Sequence, residues 1–340
     1  MQGFGKTTVL VCGGAGFIGS NFIRQALSES PTTKIVCIDA LTYAGNKENL
    51  KELPKEQFIF IKGDITDRAH MQRIFKKYTP SYVINFAAES HVDRSIHGGA
   101  EAFVRTNVLG TTVLLDTLRN TPSVKKFVQV STDEVYGALS LSSKKKFTEQ
   151  SPLAPNSPYA ASKTSADLVA RAYYATYALP IVITRCSNNY GPYQHPEKLI
   201  PFSITRLMEG KPIAIYGDGR YVRDWIHVED HCSALILALS RGAPGEIYNI
   251  GADEEIDNLT LAKRILAYFK KDKTAITFVK DRPGHDRRYA IDASKIRKEL
   301  GWKPKHTFRT SFEPTIAWYV QNSGWTRRAL ARAGVANTHI

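Results

Sequence analysis

The chain has little cysteine: four among its 340 residues, with no two of them closely spaced. Cys12 and Cys37 fall inside apolar runs that have the composition of buried strands, and Cys186 and Cys232 stand alone. Disulfide frameworks and zinc sites both rely on close, repeated cysteine spacings. The four residues are therefore predicted to be reduced, mostly buried thiols of a cytosolic protein, and no metal site is predicted.

Long apolar runs and repeats are also absent from the sequence. No segment approaches the ~18 continuous apolar residues that a membrane-spanning helix needs. Residues 1–6 lack the apolar region and the cleavage site of a secretion signal. There is no internal repeat and no low-complexity tract. We expect a globular protein of the cytoplasm with no membrane partner.

Acidic residues are outnumbered, since 32 Asp and Glu stand against 46 Lys and Arg and give a formal charge of +14. Such an excess suits nucleic acid, anionic lipid or an acidic small molecule. The basic runs at 144–146 and 327–328 are isolated, and no basic stripe is interleaved with aromatic residues. The pattern argues against a nucleic-acid partner and favours a solvated basic surface with a few phosphate-binding positions.

A glycine-rich turn stands between the first predicted strand and the first predicted helix. The apolar run Thr8–Cys12 precedes it, and an amphipathic segment follows over 17–27. This order is typical of dinucleotide sites: Gly13 permits the tight turn, Gly16 lets the backbone approach a pyrophosphate, and Gly19 lets the helix pack on the strand. Free N–H groups at the helix N-terminus would bind the anion. Glycines that serve packing alone are the alternative.

An acidic residue ends the second predicted strand. The apolar run 34–38 leads to Asp39, which lies twenty residues after Gly19. A carboxylate at this place accepts hydrogen bonds from the adenosine ribose and repels a 2′-phosphate. The predicted cofactor is therefore NAD and not NADP, with a helix-capping role for Asp39 as the alternative.

Strands and helices alternate through the first half of the chain. Further strand-like runs occupy 58–61, 82–86 and 126–130, and a long helix is predicted from Thr106 through Leu118. Such alternation predicts an α/β fold with a Rossmann-type, doubly wound parallel sheet and right-handed crossovers.

The length favours one large domain or two closely joined ones. We expect a smaller C-terminal α/β domain that binds the substrate. The predicted ranges are an NAD-binding domain over 1–185, to which parts of the later chain return, a mainly substrate-binding domain over 186–330, and a tail over 331–340.

Polar side chains follow the run 126–130 in the stretch Ser131–Gly137. A strand that ends in a hydroxyl and two acids delivers them to the crevice where open α/β sheets bind ligands. Thr132 or Asp133 would, in the alternative, cap a following turn and leave Glu134 in solvent.

A tyrosine and a lysine four residues apart follow in the next predicted helix. Ser157 and Pro158 are a capping residue and a first-turn proline, so the helix is expected to begin there. Tyr159 and Lys163 then share one face of it. A free phenol has a pKa near ~10, and a neighbouring ammonium favours the phenolate. Tyr159 is therefore predicted to be the base for an alcohol or sugar hydroxyl.

Together these motifs resemble a known superfamily. Gly13-x-x-Gly16-x-x-Gly19, Thr132 and Tyr159-x-x-x-Lys163 are similar to the extended short-chain dehydrogenase/reductases that act on nucleotide sugars. The chain from about Thr8 to Tyr319 resembles, more narrowly, the dTDP-glucose 4,6-dehydratases, whose Asp-Glu pair after the threonine is lacking in related epimerases and decarboxylases. The stretches that carry this resemblance are DALTYAGN (39–46), AAESHVDRS (87–95), STDEVYG (131–137), RCSNNYGPY (185–193), PEKLIP (196–201) and DRPGHDRRY (281–289).

The resemblance implies a dehydration with an internal redox cycle. Tyr159, assisted by Lys163 and Thr132, would take the proton of the sugar 4-hydroxyl while hydride passes from C4 to NAD. Glu134 would then remove the C5 proton, and Asp133, kept protonated, would help the C6 hydroxyl leave as water. Because the hydride returns to C6, we expect a tightly held NAD that is regenerated at each turnover.

The resemblance also implies the binding residues and an assembly. dTDP-glucose is the expected substrate, and the helices over 107–118 and 159–177 resemble the pair that forms a four-helix homodimer interface. Ala138 and Ala214 depart from the usual family pattern, the latter near the positions expected to meet the base. Residues expected along the cofactor are Gly13, Gly16, Phe17, Ile18, Gly19, Asp39, Asp64, Ile65, Ala87, Ala88, Thr106, Tyr159 and Lys163. Residues expected on the substrate are Ser90, His91, Thr132, Asn188, Lys198, Leu199, Tyr216, Arg223, Asn258, Arg282 and His285.

Three alternatives stay open on the sequence. One is a nucleotide-sugar epimerase or decarboxylase, against which the pair Asp133–Glu134 argues. Another is a UDP- or CDP-sugar dehydratase. The last is an NAD-binding scaffold without catalysis, which would be expected to have lost Tyr159 or Lys163.

Overall fold

The computed structural model describes residues 4–333. Two ranges lie outside the described residues. They are residues 1–3, where no secretion signal was predicted, and residues 334–340 of the predicted tail. The strands within the described range are β1 (Thr8–Cys12), β2 (Lys34–Asp39), β3 (Phe58–Lys62), β4 (Tyr82–Asn85), β5 (Lys126–Thr132), β6 (Ile181–Cys186), β7 (Asn188–Tyr190), β8 (Ile213–Tyr216), β9 (Val222–His227), β10 (Ile247–Ile250), β11 (Glu255–Asp257) and β12 (Ile276–Val279).

Half of the described α-helices begin at a side-chain cap, as α6 does, where the Ser157 hydroxyl accepts the amide of Ala160 and Pro158 occupies the first turn. They are α1 (Phe17–Glu29), α2 (Arg68–Tyr78), α3 (Val92–His97), α4 (Glu101–Phe103), α5 (Thr111–Arg119), α6 (Pro158–Tyr177), α7 (Leu199–Met208), α8 (Val228–Arg241), α9 (Asn258–Tyr268), α10 (Ser294–Leu300), α11 (Phe308–Gln321) and α12 (Ser323–Arg332). Short 3₁₀ helices occupy Lys47–Leu50, Asp133–Tyr136 and Lys273–Ala275.

The main sheet has seven parallel strands in the order β10-β6-β5-β4-β1-β2-β3. The order runs outward in both directions from β1 and β4, the switch point at which open α/β sheets bind ligands. Cys12 at the end of β1 lies opposite Ile38 on β2 and Asn85 on β4. The glycine turn, Asp39 and the residues after Asn85 therefore emerge at one edge. The predicted Rossmann-type fold class is confirmed.

Apolar layers cover both faces of this sheet. One layer contains Phe22 of α1 and Leu235 of α8. The other contains Met71 of α2, Leu114 of α5 and Ala170 of α6. Because both faces are covered, side chains on both sides of the inner strands are buried, as every residue of β5 is.

The later chain builds a smaller unit and also returns to the main sheet. The strands β11, β9 and β7 form one small sheet and β12 and β8 another, and α7, α9 and α11 pack over them around Ile265 and Phe312. Strand β10 is the edge strand beside β6, and α8 covers one face of the main sheet. Helix α12 runs to Arg332. The division at residues 185/186 stays a prediction.

Two local predictions were wrong. The long helix predicted from Thr106 begins at Glu101 and contains a π-helical turn over Val104–Gly110, in which the buried Asn107 bonds to both the amide and the carbonyl of Glu89 at 2.9 and 3.0 Å. Such turns are frequent at functional sites. Asn188, predicted to begin a polar loop, begins the short strand β7, which pairs with β9. Three polar residues are too few to show strand alternation.

Two compositional predictions can be compared with the structure. All four cysteines are free and buried, as expected for structural thiols. Between residues 4 and 333, no helix combines the length and the apolarity that a bilayer crossing demands.

Candidate active site

The glycine turn lies against the end of β4. Gly13 has φ 76°, and a Cβ there would stand 2.5 Å from the amide nitrogen of Ala87. A Cβ at Gly19 would stand 2.5 Å from the carbonyl oxygen of Gly13. Gly16 precedes α1 without a side-chain cap, so the first amides of the helix stay free for a ligand. This cradle fits a dinucleotide pyrophosphate.

Asp39 is held by two backbone amides at the end of β2. Its Oδ2 accepts the amide of Ala15 at 2.9 Å, and its Oδ1 accepts the amide of Leu41 at 2.8 Å. Burial raises the pKa of this carboxyl, while the two amide bonds lower it. Each oxygen keeps a second lone pair for ribose hydroxyls. Both the capping alternative and the ribose prediction are thus compatible with its position.

One crevice of about 310 Å³ runs along the switch point from the glycine turn to β5 and β7. All thirteen residues predicted along the cofactor line it, and their contacts with the cofactor stay predictions. Of the predicted catalytic and substrate residues, those that also line it are Ser90, Thr132, Asp133, Glu134, Asn188 and Lys198.

The stretch after β5 combines the two alternatives that the sequence left open. The Thr132 hydroxyl caps a 3₁₀ helix by accepting the amide of Glu134 at 3.3 Å, and it donates to Asp133 Oδ1 at 3.3 Å. Asp133 is buried, and its Oδ2 has no partner among the described residues. Glu134, however, faces the crevice and not bulk solvent. The cap therefore aims both carboxyl groups at the ligand space.

The two carboxyl groups have different electrostatic surroundings. Burial raises the pKa of Asp133 well above its ordinary value, and the charges of Glu134 and Asp224 raise it further. Burial also raises the pKa of Glu134, but the cations Arg282, Arg223 and Lys198 oppose that shift. These surroundings favour the protonated form of Asp133 more strongly than that of Glu134.

Tyr159 and Lys163 lie on α6 with their side chains in the crevice. Lys163 Nζ donates to the carbonyl of Val130 at 2.7 Å, which fixes the ammonium beside the end of β5. The prediction that the Lys163 ammonium lowers the pKa of Tyr159 is wrong. Burial and the Glu134 charge raise that pKa well above its ordinary value. A hydrogen bond between the Thr132 and Tyr159 hydroxyls lowers this pKa. Loss of the Tyr159 proton therefore requires neighbouring groups that stabilise the phenolate.

The remaining predicted substrate residues lie outside the crevice lining, although Arg223 and Arg282 act on the charge of Glu134, which lines it. Arg282 Nη1 lies 3.2 Å from Asp93 Oδ1, and Lys198, which lines the crevice, donates its Nζ to the carbonyl of Ser90 at 3.0 Å. Arg223 Nη2 donates to the carbonyl of Asp286 at 2.9 Å. Residues placed outside the cavity lining are His91, Leu199, Tyr216, Arg223, Asn258, Arg282 and His285.

Two of these outer residues have polar atoms available for a ligand. Asn258 Oδ1 and Arg282 Nε are buried and have no hydrogen-bond partner among the described residues. His285 stacks on Tyr221 with ring centroids 3.6 Å apart, and the Tyr216 ring meets it edge-on at 6.0 Å. Arginines and an aromatic wall beside the crevice fit a diphosphate and a base.

Known proteins with similar sequences and structures identify the family. The family model described as GDP-mannose 4,6 dehydratase matches residues 10–315. A dTDP-glucose 4,6-dehydratase of Xanthomonas campestris pv. campestris is 48% identical over 341 residues, which cover 95% of this chain and 96% of that protein. The crystal structure of dTDP-glucose 4,6-dehydratase from Bacillus anthracis in complex with NAD has a TM-score of 0.88 at 48% identity, covering 95% of this chain and 99% of the other. DesIV, the dTDP-glucose 4,6-dehydratase of Streptomyces venezuelae with NAD and TDP bound, has a TM-score of 0.91 at 47% identity and the same coverage. This chain belongs to the dTDP-glucose 4,6-dehydratase family.

Several crevice residues of this dTDP-glucose 4,6-dehydratase family member were not predicted from the sequence. Most of them fall within the stretches that carry the family resemblance, and Gln194 and His195 lie between two of these stretches. Nothing in their spacing shows that they meet. The Glu197 carboxylate lies 3.4 Å from His91 Nε2 and 3.6 Å from His195 Nδ1, and burial lowers the pKa of both histidines to about 3. The unpredicted lining residues include Tyr43, Cys186, Ser187, Asn189, Gln194, His195 and Glu197.

Proposed function

We propose that this protein is an NAD-dependent hydro-lyase that converts dTDP-glucose to dTDP-4-keto-6-deoxyglucose. The observation that carries this proposal is the meeting of Asp133, Glu134 and Tyr159 at the end of the glycine-turn crevice. An alcohol oxidation alone needs the tyrosine and the cofactor. The two additional carboxyl groups, with different proton affinities, supply what an elimination of water requires.

NAD is the cofactor, and when bound it accepts hydride from C4 of the sugar and returns it to C6. The glycine cradle and the Asp39 carboxylate would hold its pyrophosphate and ribose. Tyr159 would accept the proton of the 4-hydroxyl, and Thr132 would orient that hydroxyl. Lys163, fixed on the Val130 carbonyl, would stabilise the phenolate as it forms.

The carboxyl pair would perform the elimination. A 4-keto group acidifies the C5 proton, and Glu134 would remove it. Asp133 would give its proton to the departing C6 hydroxyl, since its burial and the neighbouring negative charges keep it protonated. The cations that oppose the rise of the Glu134 pKa keep that carboxylate available as a base.

The substrate is proposed to lie with its sugar at β5 and its nucleotide toward the outer end of the crevice. Lys198, Arg223 and Arg282 would neutralise the diphosphate, and Asn258 would use its free oxygen for the base or ribose. The remaining predicted substrate residues are proposed in the same region. Four free, buried thiols also suit a reducing compartment, and we propose the cytoplasm.

A panel of nucleotide sugars tests the function. The protein is incubated with dTDP-, UDP-, CDP- or GDP-glucose without added reductant. Loss of water is followed by mass spectrometry, and a 4-epimer, which has the mass of its substrate, is identified by NMR. Rapid loss of water from dTDP-glucose alone is expected. Faster dehydration of UDP- or CDP-glucose would assign a different nucleotide, and formation of a 4-epimer without dehydration would favour an epimerase.

The proposed acid predicts a pH effect for Asp224→Asn. The negative charge of Asp224 contributes to the raised pKa of Asp133. An asparagine at position 224 keeps a side-chain oxygen that can accept the Glu254 amide, as Asp224 Oδ1 does at 2.8 Å. Without the charge, Asp133 should lose its proton at lower pH. The alkaline fall of kcat is therefore expected to move to lower pH, measured as a pH–rate profile beside the exposed control Asp218→Asn. An unmoved alkaline fall in Asp224→Asn would contradict the acid role of Asp133.

A homodimer is also proposed, because one apolar face is exposed on the helices predicted to pair. Val104 and Leu109 of the π-helical turn are 52% and 44% exposed, and Leu168 of α6 is 51% exposed. Helix α6 packs against this turn and against α5, so the three side chains belong to neighbouring helices. Exposed apolar side chains grouped on neighbouring helices favour an interaction site there.

Leu168→Glu is expected to dissociate the proposed dimer, because a carboxylate would have to be buried without a partner. Sedimentation velocity of the parent and the variant measures this directly. Leu141→Glu is the matched control, since Leu141 is 42% exposed outside this face. A parent that sediments as a monomer, or equal sedimentation of the parent and Leu168→Glu, would refute the proposed interface.

A further inference from the structure

The glycine turn is tied to the C-terminal helix by a chain of buried hydrogen bonds. Ala15 lies in this turn, and its carbonyl accepts the side-chain amide of Asn49 and the backbone amide of Asn46, each at 3.0 Å. The other side of Asn49 is occupied as well, because its Oδ1 accepts the indole N–H of Trp325 at 2.9 Å. Trp325 belongs to α12, 276 residues later in the chain.

The same short segment is held at a second place. Two nitrogens of Arg328 donate hydrogen bonds to the Glu48 carboxylate at 2.9–3.1 Å, and Arg332 donates to Asn46 Oδ1 at 3.0 Å. One face of α12 therefore contacts residues 46–49 through side chains in successive turns. These residues follow Asp39 and the crevice-lining residues 42–45, so they close the loop that borders the predicted cofactor ribose.

The backbone N–H and the backbone carbonyl of Ala15 both make hydrogen bonds in this arrangement. Its N–H binds Asp39 Oδ2 at 2.9 Å, and its carbonyl binds the segment 46–49. The position of the Asp39 carboxylate and that of the turn thus depend on one another. Asn49 is buried, and without the Trp325 donor its oxygen would have no partner among residues 4–333. The side chain would then rotate or the segment would open toward water.

We propose that Trp325 is a positioning residue for NAD, which acts through Asn49 and Ala15 to hold the glycine turn and Asp39 in their cofactor-binding arrangement. The proposal rests on the proposed binding of NAD in this crevice. Helix α12 is then a latch that slows release of the cofactor. Such a latch suits an enzyme that regenerates NAD within each turnover and gains nothing from exchanging it.

Trp325→Phe tests the latch, because it keeps an aromatic ring and deletes the indole N–H, and the loss of ring volume that comes with it is matched by the control variant below. Exchange of bound NAD with isotopically labelled NAD is followed by mass spectrometry after denaturation, which needs no turnover. We expect exchange to be roughly tenfold faster than in the parent, as when a buried acceptor loses its donor. The KM for dTDP-glucose should stay within about twofold of the parent value.

Trp318→Phe is the matched control. Trp318 lies in the same aromatic cluster, with its ring centroid 5.3 Å from that of Trp325, and its indole N–H makes no hydrogen bond within residues 4–333. NAD exchange in this variant should match the parent. Equal acceleration in both variants would assign the effect to ring packing and overturn the proposal, as would parental exchange in Trp325→Phe.

A surface pair keeps the test decisive if Trp325→Phe does not fold. Arg328→Ala removes the contact with Glu48, whereas the neighbouring Arg327, which is also exposed, makes no ion pair within residues 4–333. NAD exchange about two- to threefold faster in Arg328→Ala than in Arg327→Ala supports the latch, and identical exchange overturns it. A parent that neither retains nor binds NAD would refute the cofactor site itself, which separates that failure from failure of the latch.

Discussion

Tyr159→Phe is expected to lose sugar oxidation almost completely while keeping its fold and its binding of the nucleotide sugar. The substitution removes one oxygen from a buried ring, so the packing of α6 should survive. General acid–base groups contribute about 10²–10⁴-fold to rate, and here the first chemical step would lack its base. The measurement is the absorbance of enzyme-bound NADH after rapid mixing with dTDP-glucose, together with product formation.

A second tyrosine of the same helix provides the control for Tyr159. The Tyr173 hydroxyl donates to Asp116 at 2.6 Å and does not line the crevice. Tyr173→Phe should therefore oxidise the sugar at close to the parent rate. Parental turnover in Tyr159→Phe would show that Tyr159 is not the base.

Glu134→Gln is expected to stall the reaction after oxidation, because Glu134 acts on a proton that becomes acidic only once C4 is a ketone. Glutamine keeps the shape and the hydrogen bonding of the side chain but cannot accept the C5 proton. The variant should form bound NADH on mixing with dTDP-glucose. Its exchange of the C5 proton with solvent deuterium should fall by about 10²-fold or more, as measured by mass spectrometry of the recovered sugar.

Asp133→Asn distinguishes the two carboxyl groups. It should retain more C5 exchange than Glu134→Gln and yet dehydrate slowly, because the base is present and the acid is missing. Equal loss of exchange in both variants would mean that the pair titrates and acts as one unit. Parental C5 exchange and product release in Glu134→Gln would show that another group is the base.

The local chemistry of the site could be read from the sequence because each motif is short and continuous. The glycine turn, Asp39, and Tyr159 with Lys163 each owe their geometry to one turn or one helix. The order of strands and helices likewise follows from hydrophobic periodicity, which is a local property. These parts of the fold therefore appear in the structure close to where they were predicted.

The parts that escaped prediction depend on contacts between distant segments. A return of parts of the later chain to the first domain was predicted, but the sequence did not show that β10 is the strand that pairs with β6. The link from Trp325 to Asn49 likewise joins residues whose separation carries no periodic signal. The raised pKa of Tyr159 depends on how deeply α6 is buried and on its distance from Glu134. The π-helical turn at Asn107 arises from bonds to Glu89, a residue on another element.

The internal hydride transfer from C4 to C6 is the central claim, and an isotope label tests it most directly. dTDP-glucose that carries deuterium at C4 is supplied without added nicotinamide cofactor, and the product is analysed by mass spectrometry and NMR. The account predicts dTDP-4-keto-6-deoxyglucose with the deuterium in its C6 methyl group. A product that has lost the label, or a sugar that retains it at C4, would contradict the account.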